Sequence, residues 1–255
     1  MKQKNGNRLK SRVLPGLLLL LAGMCVLVFA LANITGLQRE KRETELLYKK
    51  AREAAHLMQP VSQLQTEEAA VQEVDFQALL DINADTIGWL HVEGMEIDYP
   101  VMRSLDNEEY LYRGFDGTTR RAGTLFLDKD ADANFSGLNH PIYGHNMKDG
   151  SMFGALKDYL SEDFALEHLD MMIYTPEKAW QLIPFSVYTA KSNGDYHTQP
   201  ENQEALYERA QGWANESEVD FSVMPKPSDR FITLVTCTPG TDNNDRIVLH
   251  AIVQE

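Results

Sequence analysis

The N-terminal part of the chain contains one long apolar segment, and the later part contains short runs rich in β-branched and aromatic residues. From Val13 to Ala32 there are twenty residues without a charge, which is about the length at which an α-helix spans a hydrocarbon core. Five Lys or Arg residues and no acidic residue precede this segment. By the positive-inside rule we expect residues 1–12 to be a cytoplasmic tail, residues 13–33 a transmembrane anchor, and the rest of the chain extracellular.

A cleaved signal peptide is the alternative for the same segment. The tripeptide at residues 30–32, Ala-Leu-Ala, fits an A-x-A cleavage site. The apolar run is longer than the usual core of a signal peptide, so an uncut anchor is the favoured prediction. We therefore expect a single-pass protein of the cell membrane.

Residues 34–74 are predicted to form a helical stalk or an N-terminal helix packed on the following domain. Apolar residues recur at helical spacing over residues 40–58. Further on, Asp75 is a suitable N-cap for a short helix that ends at Ile82. The main, catalytic domain is therefore assigned to residues 75–255.

Eight short runs rich in β-branched and aromatic residues dominate that domain, which predicts a mainly β fold, either a barrel or a sandwich, with peripheral helices. The runs are residues 87–92, 95–102, 124–127, 141–143, 171–174, 181–189, 231–236 and 247–253. Helical patterns are predicted at residues 107–112, 152–160 and 201–214, the last of which lies between the sixth and seventh strands.

Charge and cysteine content narrow the classes of function. The formal net charge is −14, and the basic residues of the N-terminal tail mean that the rest of the chain is even more acidic. Such a surface argues against nucleic-acid binding. The two cysteines, Cys25 and Cys237, lie in the apolar segment and near the C-terminus, so no disulfide framework is expected. Cys237 is interpreted as a free thiol.

The candidate chemistry begins at Cys237, which ends the β-branched run at residues 231–236 and precedes a turn, Thr-Pro-Gly, at residues 238–240. A free cysteine at such a position is often a core residue, and that interpretation stays open on this residue alone. Arg246 opens the next strand across a polar turn, so a hairpin would bring it beside Cys237. An arginine at the head of a buried strand needs a partner.

The third element is the segment Tyr-Gly-His-Asn-Met, which places His145 just after a short strand. A histidine there is often only a hydrogen-bonding residue. A zinc site made from His140 and His145 is conceivable, but no HExxH pattern or CxxC pair supports it. We therefore predict no metal and no cofactor.

Together these segments resemble the sortases, which attach surface proteins to Gram-positive cell walls. The resemblance rests on TLVTC at residues 233–237, the downstream Arg246 and IYGHNMKDGSMFG at residues 142–154. IGWL at residues 87–90, YPV at residues 99–101 and the predicted helix between the sixth and seventh strands are similar to class B members. The resemblance implies an eight-stranded sortase-type β-barrel with N-terminal helices.

The resemblance also implies roles. Cys237 would be the nucleophile, His145 the general acid and base, and Arg246 the group that steadies substrate and oxyanion. Leu111, Tyr112 and Thr236 would line the substrate groove, although ordinary packing explains them equally well. The implied partners are surface proteins that carry a sorting signal, and an amine of a peptidoglycan precursor or a pilin as acceptor.

Two other functions remain as alternatives. A papain-like cysteine hydrolase also uses Cys and His, but in that family the cysteine precedes the histidine, whereas here His145 precedes Cys237. A membrane-tethered binding module without catalysis would make Cys237 structural and place Arg246 in a surface ion pair.

Overall fold

The structure is a computed structural model that describes residues 6–55, 74–237 and 244–254, with side chains described for residues 18–55, 74–236 and 244–254. The residues divide into two compact units, one ending at Leu46 and one beginning at Leu47. The predicted end of the N-terminal helix at residues 56–58 and the predicted turn at residues 238–240 lie outside the described residues.

The first unit consists of helix α1, Gly6–Ala55, up to Leu46. Within the described residues, α1 is the one helix long and apolar enough to cross a membrane, with a mean hydropathy of 2.4 over its most apolar window. Its large apolar side chains between Leu18 and Leu37 are about half to three-quarters exposed. By length and composition this helix is a candidate membrane anchor.

The second unit is a closed eight-stranded barrel, as the sequence predicts. The strands are β1 Thr86–Val92, β2 Asp98–Arg103, β3 Leu125–Leu127, β4 Asn139–Tyr143, β5 Met171–Tyr174, β6 Ala179–Lys191, β7 Phe231–Cys237 and β8 Asp245–Gln254. Around the barrel the order is β1-β2-β3-β4-β7-β8-β6-β5. Two neighbouring pairs, β2 with β3 and β4 with β7, are parallel, and the others are antiparallel.

In the described ranges, three further α-helices flank the barrel: α2 Phe76–Ile82, α3 Glu162–Glu167 and α4 Gln203–Glu216. The predicted cap of α2 is confirmed, because the Asp75 carboxylate accepts a hydrogen bond from the Ala78 amide at 3.0 Å. The helix predicted between the sixth and seventh strands is α4, which begins after the N-cap Asn202.

Two predicted helices are instead short 3₁₀ segments. Residues 107–112 form only the 3₁₀ turn Glu109–Leu111, because the Tyr112 carbonyl accepts from the Arg120 amide at 2.9 Å rather than continuing a helix. Residues 152–160 form the 3₁₀ helix Gly154–Leu160. Helix α3, which follows directly, was not predicted.

Successive side chains of β7 point to opposite faces of the barrel wall and pack into two apolar clusters. Ile232 and Leu234 belong to the main core cluster, whereas Phe231 and Val235 belong to a second cluster covered by α4. Helix α4 contributes Leu206, Ala210 and Trp213 to this second cluster, which is the i, i+4, i+7 spacing of one helical face. The barrel wall next to Cys237 is thus packed on both sides.

Two histidines are fully buried away from the end of β7 that carries Cys237. His140 donates one hydrogen bond from Nδ1 to the Phe231 carbonyl at 3.1 Å, and burial lowers its pKa to about 4. His250 stacks on Trp213 with a centroid distance of 3.9 Å, and burial lowers its pKa well below the ordinary value. Both side chains are therefore neutral in the folded protein at neutral pH.

We expect this pair to make the folded state acid-sensitive. In the unfolded chain both histidines titrate near pH 6.5, so the unfolded state gains protons first as the pH falls, and stability is lost from about pH 6.5 downward. Each histidine lowers the free energy of unfolding by up to about 1.4 kcal/mol for each pH unit below its unfolded pKa. For His140 this loss ends at its folded pKa. Urea unfolding of the full chain at pH 7 and pH 5 measures the loss, and His140→Gln should reduce its slope. An unchanged free energy of unfolding between these pH values would contradict the assignment.

Candidate active site

Strands β7 and β8 bring Cys237 and Arg246 together. The antiparallel register pairs Cys237 with Arg246 as the last pair of the hairpin. On its other side, β8 pairs Arg246 with Ala190 of β6. The backbone thus fixes the two residues directly opposite each other at one end of the barrel, as the predicted hairpin requires.

The parallel pairing of β4 and β7 brings His145 to the same end. Tyr143 is paired with Val235, and the Gly144 amide donates to the Val235 carbonyl at 3.2 Å. His145 follows Tyr143 by two residues and Cys237 follows Val235 by two residues. Because parallel strands run in the same direction, both residues leave the barrel at the same level. The structure therefore gathers the three predicted residues at one barrel end.

The glycine before His145 permits close packing there. A Cβ on Gly144 would lie 2.5 Å from Cδ2 of Leu125 and 2.7 Å from Cδ2 of Phe153. After His145 the chain folds back, and the His145 carbonyl accepts from the amides of Met147 at 3.1 Å and Phe153 at 3.0 Å. The backbone of His145 is thereby held by the loop that follows it.

The ring of His145 has one defined partner. Its Nε2 lies 2.7 Å from the carbonyl oxygen of Leu111. A carbonyl can only accept, so Nε2 carries a proton and the neutral ring keeps its lone pair on Nδ1. Burial lowers the pKa of His145 and the Leu111 carbonyl opposes this shift, with the net direction downward. Nδ1 is the atom that can take up a proton.

Arg246 is half-buried near the start of β8. Arg246 donates from Nη1 to the Asp245 carbonyl at 2.8 Å. Burial and the Asp128 carboxylate raise the pKa of Tyr143, and the charge of Arg246 opposes this rise. The Tyr143 hydroxyl donates to Asp128 at 2.8 Å. Tyr143 is therefore a neutral phenol at neutral pH.

Comparison with known proteins decides the family. The family model described as "Sortase domain" matches residues 90–254, which is well over half of the chain and includes all three candidate residues. The chain belongs to the sortase family.

Similar proteins define the class. The chain is 34% identical over 170 residues to sortase B of Listeria monocytogenes, covering 66% of this chain and 69% of that protein. It is 30% identical over 178 residues to sortase B of Staphylococcus aureus, covering 69% of this chain and 73% of that protein. This is therefore a class B sortase.

Solved structures agree in fold. Sortase B from B. anthracis in complex with AAEK1 superposes with a TM-score of 0.73 at 28% identity, covering 85% of this chain and 99% of that one. A Staphylococcus aureus sortase B–substrate complex has a TM-score of 0.67 at 26% identity, covering 87% and 94% of the two chains. Family membership favours a sortase over the papain-like hydrolase and over a module without catalysis.

The three residues predicted to line the groove of this sortase differ in exposure. The Tyr112 ring is 57% exposed, and its centroid lies 5.3 Å from that of His145. Leu111 is half-buried, and it is its backbone that contacts His145. Thr236 is only 2% exposed, and its hydroxyl has no hydrogen-bond partner among the described residues. Substrate contact by these three residues stays a prediction.

Sequence reasoning missed two linked groups of the sortase barrel, Tyr143 and Asp128. Asp128 is a buried carboxylate that accepts from the hydroxyl of Tyr143 and from the side chain of Asn107 at 3.0 Å. Tyr143 lies in the motif at residues 142–154 that resembles the sortases, but its position in that motif indicates no role. Asp128 follows the third predicted strand and could have been noted as a polar residue at the end of a buried run.

The zinc alternative concerned His140 and His145. His140 and His145 lie at opposite ends of the segment around β4, and the Nδ1 of His140 bonds to the Phe231 carbonyl. Over the part of the chain that the structure describes, no three His, Cys, Asp or Glu residues form a group that could hold a metal ion.

Proposed function

We propose that this class B sortase cleaves a C-terminal sorting motif of an exported protein and transfers the new acyl end to an amine of the cell wall or of a pilin. The observation that carries the proposal is the backbone register, which pairs Cys237 with Arg246 and brings His145 to the same barrel end. A nucleophile, an acid and base, and a fixed cation are the groups that acyl transfer through a thioester needs.

In this scheme the thiolate of Cys237 attacks the carbonyl carbon of the scissile peptide bond. The C–N bond then breaks, and the imidazolium of His145 donates its Nδ1 proton to the leaving amine, which gives a thioester. In the second half the acceptor amine attacks the thioester and gives a proton to Nδ1, and the thiolate leaves. The Leu111 carbonyl would keep Nε2 protonated throughout, because it accepts the hydrogen bond from that atom.

The pKa values of the two catalytic groups predict slow turnover. With ordinary values near 8.5 for a thiol and 6.5 for a histidine, thiolate and imidazolium coexist in about 1% of molecules near neutral pH. The lowered pKa of His145 reduces this fraction further. The small fraction of enzyme molecules that contain both thiolate and imidazolium would limit the rate, together with the chemical step.

Arg246 would stabilise the oxyanion that forms during each half-reaction. Its guanidinium is always charged and presents several fixed donors, so it cannot serve as a base. Its half-buried place at the head of β8 keeps it partly out of water. A donor held in advance at such a site lowers the free energy of the developing negative charge.

We also propose that α1 anchors the enzyme in the cell membrane with its N-terminus in the cytoplasm. The support is the apolar helix and the basic residues that precede it. This orientation would present the barrel to secreted proteins that carry a sorting signal and to the amines of the wall.

Trapping of the acyl-enzyme tests the proposed function. The full chain, solubilised in detergent, is incubated with peptides that contain candidate sorting motifs, quenched in acid and analysed by mass spectrometry. We expect a mass increase equal to the acyl fragment on the peptide that contains Cys237, which hydroxylamine removes. The variant Cys237→Ala should show neither adduct nor cleavage, and cleavage that persists in Cys237→Ala would contradict the thioester.

A further inference from the structure

The C-terminal part of α1 contacts Gly123, Thr124 and Tyr99, which in turn contact the two segments that hold His145. We infer that this part of the helix braces the catalytic histidine, with Tyr48 as a positioning residue. The inference rests on the role proposed above for His145, and it adds a partner that lies almost a hundred residues earlier in the chain. Residues 47–55 belong to the same compact unit as the barrel.

Tyr48 is a residue of α1 whose hydroxyl makes a buried hydrogen bond to the domain that contains the barrel. Together with Ala51 and Ala55 it forms the buried face of the helix end, and it is only 2% exposed. Its hydroxyl donates to the carbonyl of Gly123 and lies 2.9 Å from the hydroxyl of Thr124. A buried phenol with such partners fixes the position of the backbone that it contacts.

The backbone that Tyr48 contacts is paired with the segment before it in the chain. The Thr124 amide donates to the Tyr110 carbonyl at 3.0 Å, and the Arg120 amide donates to the Tyr112 carbonyl at 2.9 Å. The Thr124 hydroxyl donates to the Arg113 carbonyl at 2.8 Å. Three of four successive carbonyls are thus held by residues 120–124.

The fourth carbonyl is that of Leu111, and it accepts from Nε2 of His145 at 2.7 Å. Gly123 packs directly on it, because a Cβ at this residue would overlap the Leu111 carbonyl. The hydroxyl of Tyr48 is therefore separated from the ring of His145 by one short stretch of backbone, held on both sides.

A second path leads from the same helix to the other side of the histidine. The rings of Tyr48 and Tyr99 meet edge to face at a centroid distance of 5.2 Å, and the guanidinium of Arg52 lies 5.9 Å from the Tyr99 centroid. The Tyr99 hydroxyl accepts from the Met152 amide at 3.3 Å. Tyr99 is buried, so its hydroxyl is fixed by the helix packed on it.

Met152 is part of the loop that folds back on His145. It forms a β-bridge with Asn146, and it adopts a left-handed conformation with φ of 52°. The next amide, that of Phe153, donates to the His145 carbonyl at 3.0 Å. A left-handed conformation at a non-glycine residue costs free energy and persists only where the surroundings impose it. The helix thus supports the ring of His145 through Leu111 and its backbone through Met152.

The variant Tyr48→Phe removes the hydroxyl and keeps the ring that packs on Tyr99. In the full chain we expect kcat to fall by about tenfold with little change in KM, because a small displacement of the Leu111 carbonyl misorients His145 without altering the groove. The matched control is Tyr159→Phe, since Tyr159 is also fully buried and donates to a backbone carbonyl, that of His168, at 2.6 Å. Both variants lose one comparable hydrogen bond.

A spectroscopic readout separates positioning from general stability. In the chain labelled with ¹⁵N-histidine, the His145 signals, assigned by their loss in His145→Ala, should report a ring protonated on Nε2 when it is neutral. Tyr48→Phe should give a mixture of tautomers, and Tyr159→Phe should keep the wild-type signals and kcat. The inference is overturned if Tyr48→Phe retains either the wild-type tautomer or the wild-type kcat, or if Tyr159→Phe changes both equally. A wild-type chain without transfer activity would contradict the proposed function, whereas the tautomer comparison would still test the brace.

Discussion

Replacing His145 by alanine should lower kcat/KM for acyl transfer by at least about a hundredfold, the usual loss when a general acid and base is removed. Cys237→Ala should abolish transfer, because a thioester needs a thiol and the other cysteine of the sequence, Cys25, lies in the apolar N-terminal segment. The reason lies in the geometry: the ring is held by the Leu111 carbonyl, so Nδ1 is the one ring atom left to exchange protons with the thiol and with the amines. Initial rates with a sorting-motif peptide and an amine measure both effects.

His168 supplies a matched control for this substitution. It is also half-buried, and its Nδ1 lies 2.8 Å from a backbone carbonyl, that of Phe164. His168→Ala should therefore cost a similar hydrogen bond and leave transfer almost unchanged. If His145→Ala retained a rate close to that of His168→Ala, His145 would have no part in the chemistry.

Gly123→Ala should both destabilise the domain and suppress activity. Gly123 has φ of 58°, and an added Cβ would overlap the carbonyls of Tyr110 and Leu111. The conformation alone costs about 1–2 kcal/mol for a residue with a side chain, and displacement of two carbonyls should raise the loss of unfolding free energy above about 3 kcal/mol. Because the Leu111 carbonyl holds His145, the molecules that do fold should also have a lower kcat than the wild type. Urea unfolding and kcat corrected for the folded fraction measure the two effects.

Gly150→Ala separates conformation from overlap. Gly150 also has a positive φ, of 87°, but an added Cβ there would meet no atom within 4 Å. We expect a loss of about 1–2 kcal/mol in that variant, with the rate of the folded fraction preserved. If the two variants lost equal amounts of unfolding free energy and of kcat, the overlap with the carbonyls of residues 110 and 111 would contribute to neither loss.

The strands could be predicted because each is a short run whose side chains must fill a closed barrel. Each of the eight predicted runs overlaps an observed strand, although the second begins three residues before β2. The helical segments were less predictable. Residues 107–112 carry a helical pattern, but Asp106 caps the amides of Glu108 and Glu109 and the chain then turns to pair with residues 119–124.

The candidate residues could be predicted from their side chains, but their supports could not. Cys237, His145 and Arg246 are chemically distinctive and lie at strand ends. The partner of His145 is a backbone carbonyl thirty-four residues earlier, which no side-chain pattern reveals. The helical spacing over residues 40–58 gave the correct element, yet the polar contact made by Tyr48 depends on how the helix packs on the barrel.

The central claim is that the acyl group goes to an amine rather than to water. A thioester reacts readily with amines, so the partition of products is the direct measurement. The full chain is incubated with a sorting-motif peptide, with and without saturating hydroxylamine or a wall-peptide amine, and the acyl products are quantified by mass spectrometry. We predict that amine diverts most of the product from acid to amide while total peptide consumption changes little if acylation limits the rate. Exclusive formation of the acid at saturating concentrations of several amines would contradict transpeptidation.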